Sequence, residues 1–160
     1  MLTKATKKDF LFIYQMYMHP SINPFLLYEP MDEKSFFPIF MQLIKDGVLY
    51  IFNDENKQVG MCKLVPLTYR SAHCMYCGGV AIHPNYIGQG LGKKMMLSVK
   101  TYTTQQNYLR IELSVAIHNL AAIAVYKKVG FEKVGVLKKY GYLKAENKYV
   151  DEWLMQCMLP

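Results

Sequence analysis

Ile87-Gly88-Gln89-Gly90-Leu91-Gly92 places three glycines between an apolar extended run ending in His83-Pro84 and an amphipathic run that begins near Leu91. The stretch reads as a strand-to-helix turn. Glycine accepts positive φ and lets a ligand approach bare backbone, while the first N–H groups of the following helix lack intrahelical partners. Those donors and the positive end of the helix dipole favour an anionic group. Two familiar phosphate loops do not fit. A Walker pattern needs glycine where Ile87 stands and a hydroxyl residue where Lys94 stands, and a dinucleotide fingerprint needs its third glycine at Lys93. The turn also lies past the middle of the chain, whereas a dinucleotide fingerprint usually opens the first βαβ unit.

A second informative stretch follows after one helix. It runs Arg110-Ile111-Glu112-Leu113-Ser114-Val115, then Ala116-Ile117-His118-Asn119, then through residues 120–129 to Gly130-Phe131. Together the two stretches resemble the GNAT N-acetyltransferase superfamily. Its acetyl-CoA loop, Gln/Arg-x-x-Gly-x-Gly/Ala, matches residues 87–92 except at Ile87. Its second signature matches Asn119, Ala122, Tyr126, Gly130 and Phe131. A similar order of elements covers nearly the whole chain, from an early helix ending in a His-Pro turn to a final strand around Val150-Asp151-Glu152-Trp153. The chain looks like the branch containing small-amine, amino-acid and ribosomal-protein acetyltransferases.

The resemblance implies an α/β fold: a mixed, mostly antiparallel twisted sheet with a parallel, splayed central strand pair and helices on both faces. It also implies acetyl-CoA as co-substrate and transfer of its acetyl group to a primary amine by direct attack in a ternary complex. The cofactor-binding residues it designates are Val80, Ile82, Ile87, Gly88, Gln89, Gly90, Leu91, Gly92, Lys93 and Asn119. Val80 is the expected source of a backbone N–H for the oxyanion. Tyr126 is the catalytic residue, a proton or hydrogen-bond donor to the departing thiolate. On the residues alone, Tyr126 could equally pack in the core beside Phe131, and Asn119 could equally cap the helix that follows it. The implied partners are a small-molecule amine or a peptide N-terminus, with neither nucleic acid nor membrane, and a homodimer is compatible with the family. A non-catalytic acyl-CoA-binding or sensing module is the alternative.

Composition agrees with one domain over residues 1–160: 52% of the residues are hydrophobic and 14% aromatic, enough for a sizeable core. No apolar run approaches the roughly 20 residues of a membrane span, and no signal-peptide core opens the chain, so a cytoplasmic protein is expected. Cys62, Cys74, Cys77 and Cys157 are few for a disulfide scaffold, and Cys74-x-x-Cys77 has no second pair to complete a zinc site. Buried reduced thiols and no metal are expected. The net charge of +7 is spread over Lys7-Lys8, Lys93-Lys94, Lys127-Lys128 and Lys138-Lys139 and does not form one nucleic-acid-binding block. Two of those pairs flank the cofactor site that the resemblance implies.

Thr6-Lys7-Lys8-Asp9 reads as a capping box before a helix that His19-Pro20 stops. Asp32 and Gly47 bracket a second helix, which Pro38 should kink or shorten. Residues 48–52 and 58–65 read as a hairpin. Extended residues 72–82, a helix from residue 91, a strand at 110–115, a helix at 120–129, and strands at 131–137 and 149–158 complete the pattern. The general base is not evident: residues 72–79 hold no acid, and His73, His118 and Glu112 are the titratable candidates. Asn23, Phe25, Tyr28 and Asp151 are expected to line the acceptor side, although Asp151 could equally tie down the final strand.

Overall fold

The computed structural model describes residues 1–160. Its first helical segment begins as the capping box requires. Thr6 Oγ1 accepts from Lys8 N at 3.3 Å, and the Asp9 carboxylate accepts from Thr6 N at 2.7 Å. A 3-10 turn at Lys7–Asp9 leads into α1 (Phe10–Met18), which stops at His19-Pro20. Asp32 caps α2 (Glu33–Asp46) by accepting from Ser35 N at 2.7 Å, and Gly47 closes it at φ 64°. Pro38 lies inside α2 without ending it. Its missing N–H is outweighed by the cap and by Phe36 and Phe40, both fully buried; each aromatic burial contributes about 1.5–3 kcal/mol.

The strands are β1 (Leu2–Lys4), β2 (Leu49–Asp54), β3 (Lys57–Pro66), β4 (Cys74–Ile82), β5 (Arg110–Ala116), β6 (Glu132–Leu143) and β7 (Lys148–Met158); α3 (Leu91–Gln105) and α4 (Leu120–Lys128) complete the chain. They form one sheet in the order β1-β2-β3-β4-β5-β7-β6. Every neighbouring pair is antiparallel except β4 and β5. The β2–β3 hairpin turns at Glu55-Asn56, both at positive φ, so the polar loop is tighter than its composition suggests. Two features depart from the sequence reading. β1 is a three-residue strand too short to carry an alternation signal, and β6 runs on to Leu143 through a register shift between Leu137 and Gly141.

Helices cover both faces, as a sheet with two apolar sides requires. One core gathers Tyr17, Phe36, Phe40, Ile51 and Met61 under α1 and α2; the other gathers Met96, Ile111, Leu113, Tyr126 and Met155 under α3 and α4. The four cysteines are buried free thiols. A bulge in β4 redirects the alternation of its side chains. Met75 and Cys77 join the α3/α4 core, yet Ala81 joins the α1/α2 core and Val80 packs on the α3/α4 side. Gly79 permits this with φ 56°. Without the bulge, Val80 and Ile82 would point away from the glycine turn.

Candidate active site

β4 and β5 pair only at their first residues, Cys74 with Arg110, Met75 with Ile111 and Tyr76 with Glu112. Beyond Tyr76, β4 pairs with β3 alone, and beyond Glu112, β5 pairs with β7 alone. The two facing edges therefore carry backbone donors and acceptors with no strand between them. The sheet opens as a wedge at its centre.

A cavity of about 710 Å³ lies at the mouth of this wedge. Of the ten residues expected to bind a cofactor, Val80, Ile82, Ile87, Gly88, Gly90, Leu91, Gly92, Lys93 and Asn119 line it. Gln89 does not; its amide turns back to the Asn85 carbonyl at 3.4 Å. Gly88 and Gly90 have φ 82° and 75°, and an added Cβ on either would meet nothing within 4 Å. The turn thus needs glycine for its backbone angles and presents a free face to an approaching group. Gly90 precedes α3 with no side chain capping the helix, which leaves first-turn N–H groups for an anion. Ile87 is 63% exposed and contributes an apolar rim.

The charges around this cavity are one-sided. Lys93 and Lys128 line it and no aspartate or glutamate does. Their sequence neighbours are engaged elsewhere: Lys94 pairs with Asp54, and Lys127 lies 5.3 Å from the Trp153 ring centroid. Asn119 caps α4, accepting from Ala122 N at 3.3 Å.

Tyr126 belongs to both readings offered for it. Its ring packs 5.9 Å from that of Phe131 in the α3/α4 core, and the residue also lines the cavity at 5% exposure. Burial, helped by Cys77, Cys62, Tyr76 and Glu152, pushes its phenol well above the usual range. The hydroxyl therefore stays protonated and is a donor.

A second cavity, again about 710 Å³, lies on the opposite face between the chain after α1 and the β6–β7 hairpin. Leu26 lines both cavities. The second carries Glu29, Glu146 and Glu152 against a single Lys144, among aromatic walls that include Tyr28 and Tyr140. Tyr28 and Asn23 line it as expected, with the Asn23 amide donating to the Tyr17 and Tyr28 carbonyls. Phe25 instead faces the first cavity, 5.2 Å from the His118 ring. Asp151 fastens the bulge of β6, accepting from Lys139 N at 2.7 Å.

None of the three candidate bases lines the second cavity. His73 is exposed outside both cavities, His118 lines the first, and Glu112 is paired with Arg110 at 3.2 Å. Sequence reasoning passed over Glu152, which is 6% exposed. The signal was available: Met155 and Cys157 are apolar, so the opposite face of the same strand holds Glu152 and Val150.

The sequence model of the Acetyltransferase (GNAT) family matches residues 10–131. An N-alpha-acetyltransferase of Saccharolobus solfataricus is 33% identical over 113 residues, 69% of this chain and 65% of that protein, a little under two thirds of its length. Among solved structures, the spermidine N-acetyltransferase of Vibrio cholerae, in complex with CoA and spermine, superposes with a TM-score of 0.85 at 20% identity, covering 99% of this chain and 94% of that one. The ribosomal-protein-alanine N-acetyltransferase of Brucella melitensis gives 0.81 at 20% identity, covering 99% of each chain. These two likenesses concern the fold.

Proposed function

Because the chain belongs to the Acetyltransferase (GNAT) family, we propose that it is an acetyl-CoA-dependent N-acetyltransferase that acylates a primary amine by direct attack in a ternary complex. The observation that carries this reading is the opposition of the two cavities. One joins a bare glycine turn, two lysines and no acid to a buried phenol, and the other is aromatic and acidic. A polyanionic acyl donor suits the first and a cationic amine suits the second.

The residues present suit acetyl-CoA. N–H groups of the turn and of the first turn of α3 would hold the pyrophosphate, with Lys93 and Lys128 adding charge at the rim. The open edges of β4 and β5 would hold the pantetheine arm as a strand holds its neighbour. When bound, the thioester supplies the activated acyl group. Val80, at the wedge, is assigned a backbone N–H for the oxyanion. Tyr126 keeps a proton at its hydroxyl oxygen for the thiolate. The packing against Phe131 fixes its ring.

The proteins that the chain resembles are named as an N-alpha-acetyltransferase, a ribosomal-protein-alanine N-acetyltransferase and a spermidine N-acetyltransferase. The experiment that tests the function is therefore thiol release from acetyl-CoA with spermidine, a short alanine-initiated peptide and n-butylamine. Amine-dependent release with at least one of them is expected. Tight CoA binding without release from any amine would favour a sensing module.

A further inference from the structure

A primary amine at neutral pH enters as an ammonium, whose nitrogen has no lone pair to attack with. The residues assigned so far place the second proton of the reaction, at the thiolate, and leave the first unplaced. Glu152 is the buried acid on the acceptor side that the assigned chemistry does not use. It lies at the centre of β7, opposite Ala116 of β5 and Leu137 of β6, and lines the second cavity. Tyr76 of β4, whose hydroxyl lies 3.4 Å from Ser114 Oγ, and Tyr126 of α4 are near enough to feel its charge. Tyr140 and Glu146 stand on the same cavity wall, and Lys144 faces Glu29 at 4.0 Å.

The arrangement brings the two halves of the reaction together across the sheet. Tyr126 comes from the α3/α4 face and Glu152 from the other. β4 and β5 are joined by sheet pairing only as far as Tyr76 and Glu112, and Glu152 lies one strand beyond that gap, opposite Ala116 of β5. The alternatives are paired, elsewhere or exposed: Glu112 holds Arg110, Asp151 accepts from the Lys139 backbone, His118 borders the first cavity, and Glu29 and Glu146, though they line the second cavity, are solvent-exposed.

We propose that Glu152 accepts the proton of the incoming ammonium and selects cationic primary amines, an assignment that rests on the N-acetyltransferase reading. A proton passes from the ammonium to the Glu152 carboxylate, leaving a neutral amine beside a neutral carboxylic acid. The nitrogen lone pair forms the C–N bond to the acyl carbon as the C–S bond breaks with its electron pair on sulfur. The second proton, shed by nitrogen as the amide forms, reaches the thiolate by way of the Tyr126 hydroxyl. Glu152 then returns its proton to solvent. Burial raises the Glu152 carboxyl from its ordinary value and the Ser114 hydroxyl opposes the rise; a raised value makes the carboxylate a stronger base.

The test compares wild type, Glu152→Gln and Glu152→Asp by thiol release from acetyl-CoA across pH, using spermidine and the alanine-initiated peptide. Calorimetry gives the acetyl-CoA affinity of each protein. Glu152→Gln is expected to lose about 10²–10³-fold in kcat/KM near pH 7, with acetyl-CoA affinity held within about twofold. The deficit should shrink toward pH 10, where the amine sheds its own proton. Glu152→Asp should fall between the two, since it keeps the acid on a shorter arm. Glu152→Gln should also keep or raise the melting temperature at pH 7, because it removes a buried charge. Unaltered turnover and pH profile in a folded Glu152→Gln protein would overturn the assignment alone, as would a loss constant across pH. Failure of wild type to release thiol with spermidine, the peptide and n-butylamine alike would overturn the acyl-transfer reading, and the role of Glu152 with it.

Discussion

The two cavities have the same volume, about 710 Å³, and share Leu26, yet they are built by different means. The first takes its polar chemistry from backbone: a glycine turn, an uncapped helix start and two unpaired strand edges. The second takes it from side chains, three glutamates and a set of tyrosines carried by the chain after α1 and by β6, β7 and the turn between them. Backbone recognition is indifferent to most side-chain changes and suits a ligand common to a whole family. Side-chain recognition changes with each substitution and suits the partner that differs from one member to the next. Tyr126 lines the first and Glu152 the second.

The sharpest way to break this division is Tyr126→Phe, which keeps the ring against Phe131 and removes one hydroxyl. Turnover is expected to fall on the order of 10²-fold with CoA affinity unchanged, measured by thiol release under conditions where chemistry limits the rate. Wild-type turnover in the folded variant would leave Tyr126 a core residue only. Gly90→Val attacks the other side of the comparison, forcing a branched side chain to φ 75°. Strain of about 1–3 kcal/mol, together with the obstructed turn, should weaken CoA binding by roughly 10-fold or more. Amine binding should be untouched, and paired calorimetric titrations would reveal any change to both.

Smaller effects should separate the cavities by charge. The double variant Glu29→Gln/Glu146→Gln, at the solvent-exposed wall of the acidic cavity, should raise KM for spermidine by roughly 2- to 5-fold, in line with about 0.2–1 kcal/mol for exposed ion pairs. KM for n-butylamine should move less, and neither change should persist at high salt. Weaker still, Lys93→Ala should lower CoA affinity by a factor of about two to three, while Lys94→Ala, whose ammonium faces Asp54, should leave it alone. Equal losses in both lysine variants would mean that the helix acts through general charge and that the cavity boundary drawn here is wrong.

Much of the frame was legible in the residues. The Thr6–Asp9 box, the Asp32 cap and Gly47 marked helix ends because capping is local chemistry, satisfied within three or four positions. β1 escaped because three residues hold no period. The end of β6 escaped because Lys138-Lys139 and Gly141 read as a break, and only pairing with β7 across a bulge keeps the strand going. Among candidate site residues, nine of the ten on the cofactor side share a cavity because contiguous motifs carry them. Of the residues expected to line the acceptor side, Phe25 turned to the first cavity, Asp151 ties the last strand to β6 as the residues alone also allowed, and Glu152 was missed, because those positions converge from segments more than 100 residues apart.

The sequence by itself determined the family, the glycine turn and the tyrosine of α4. The family rests on the resemblance of two motifs, and the turn and the tyrosine on backbone angles and helical spacing that a few neighbouring residues enforce. Tertiary structure alone decided three things: where the expected splay of β4 and β5 begins, after three paired residues, that the bulge at Gly79 turns Val80 and Ile82 toward the turn, and that Glu152 comes to line the second cavity. Sheet register and face are fixed by which strands lie alongside, and a one-residue bulge inverts every side chain beyond it. That information is a property of the assembled sheet and is carried by no segment alone.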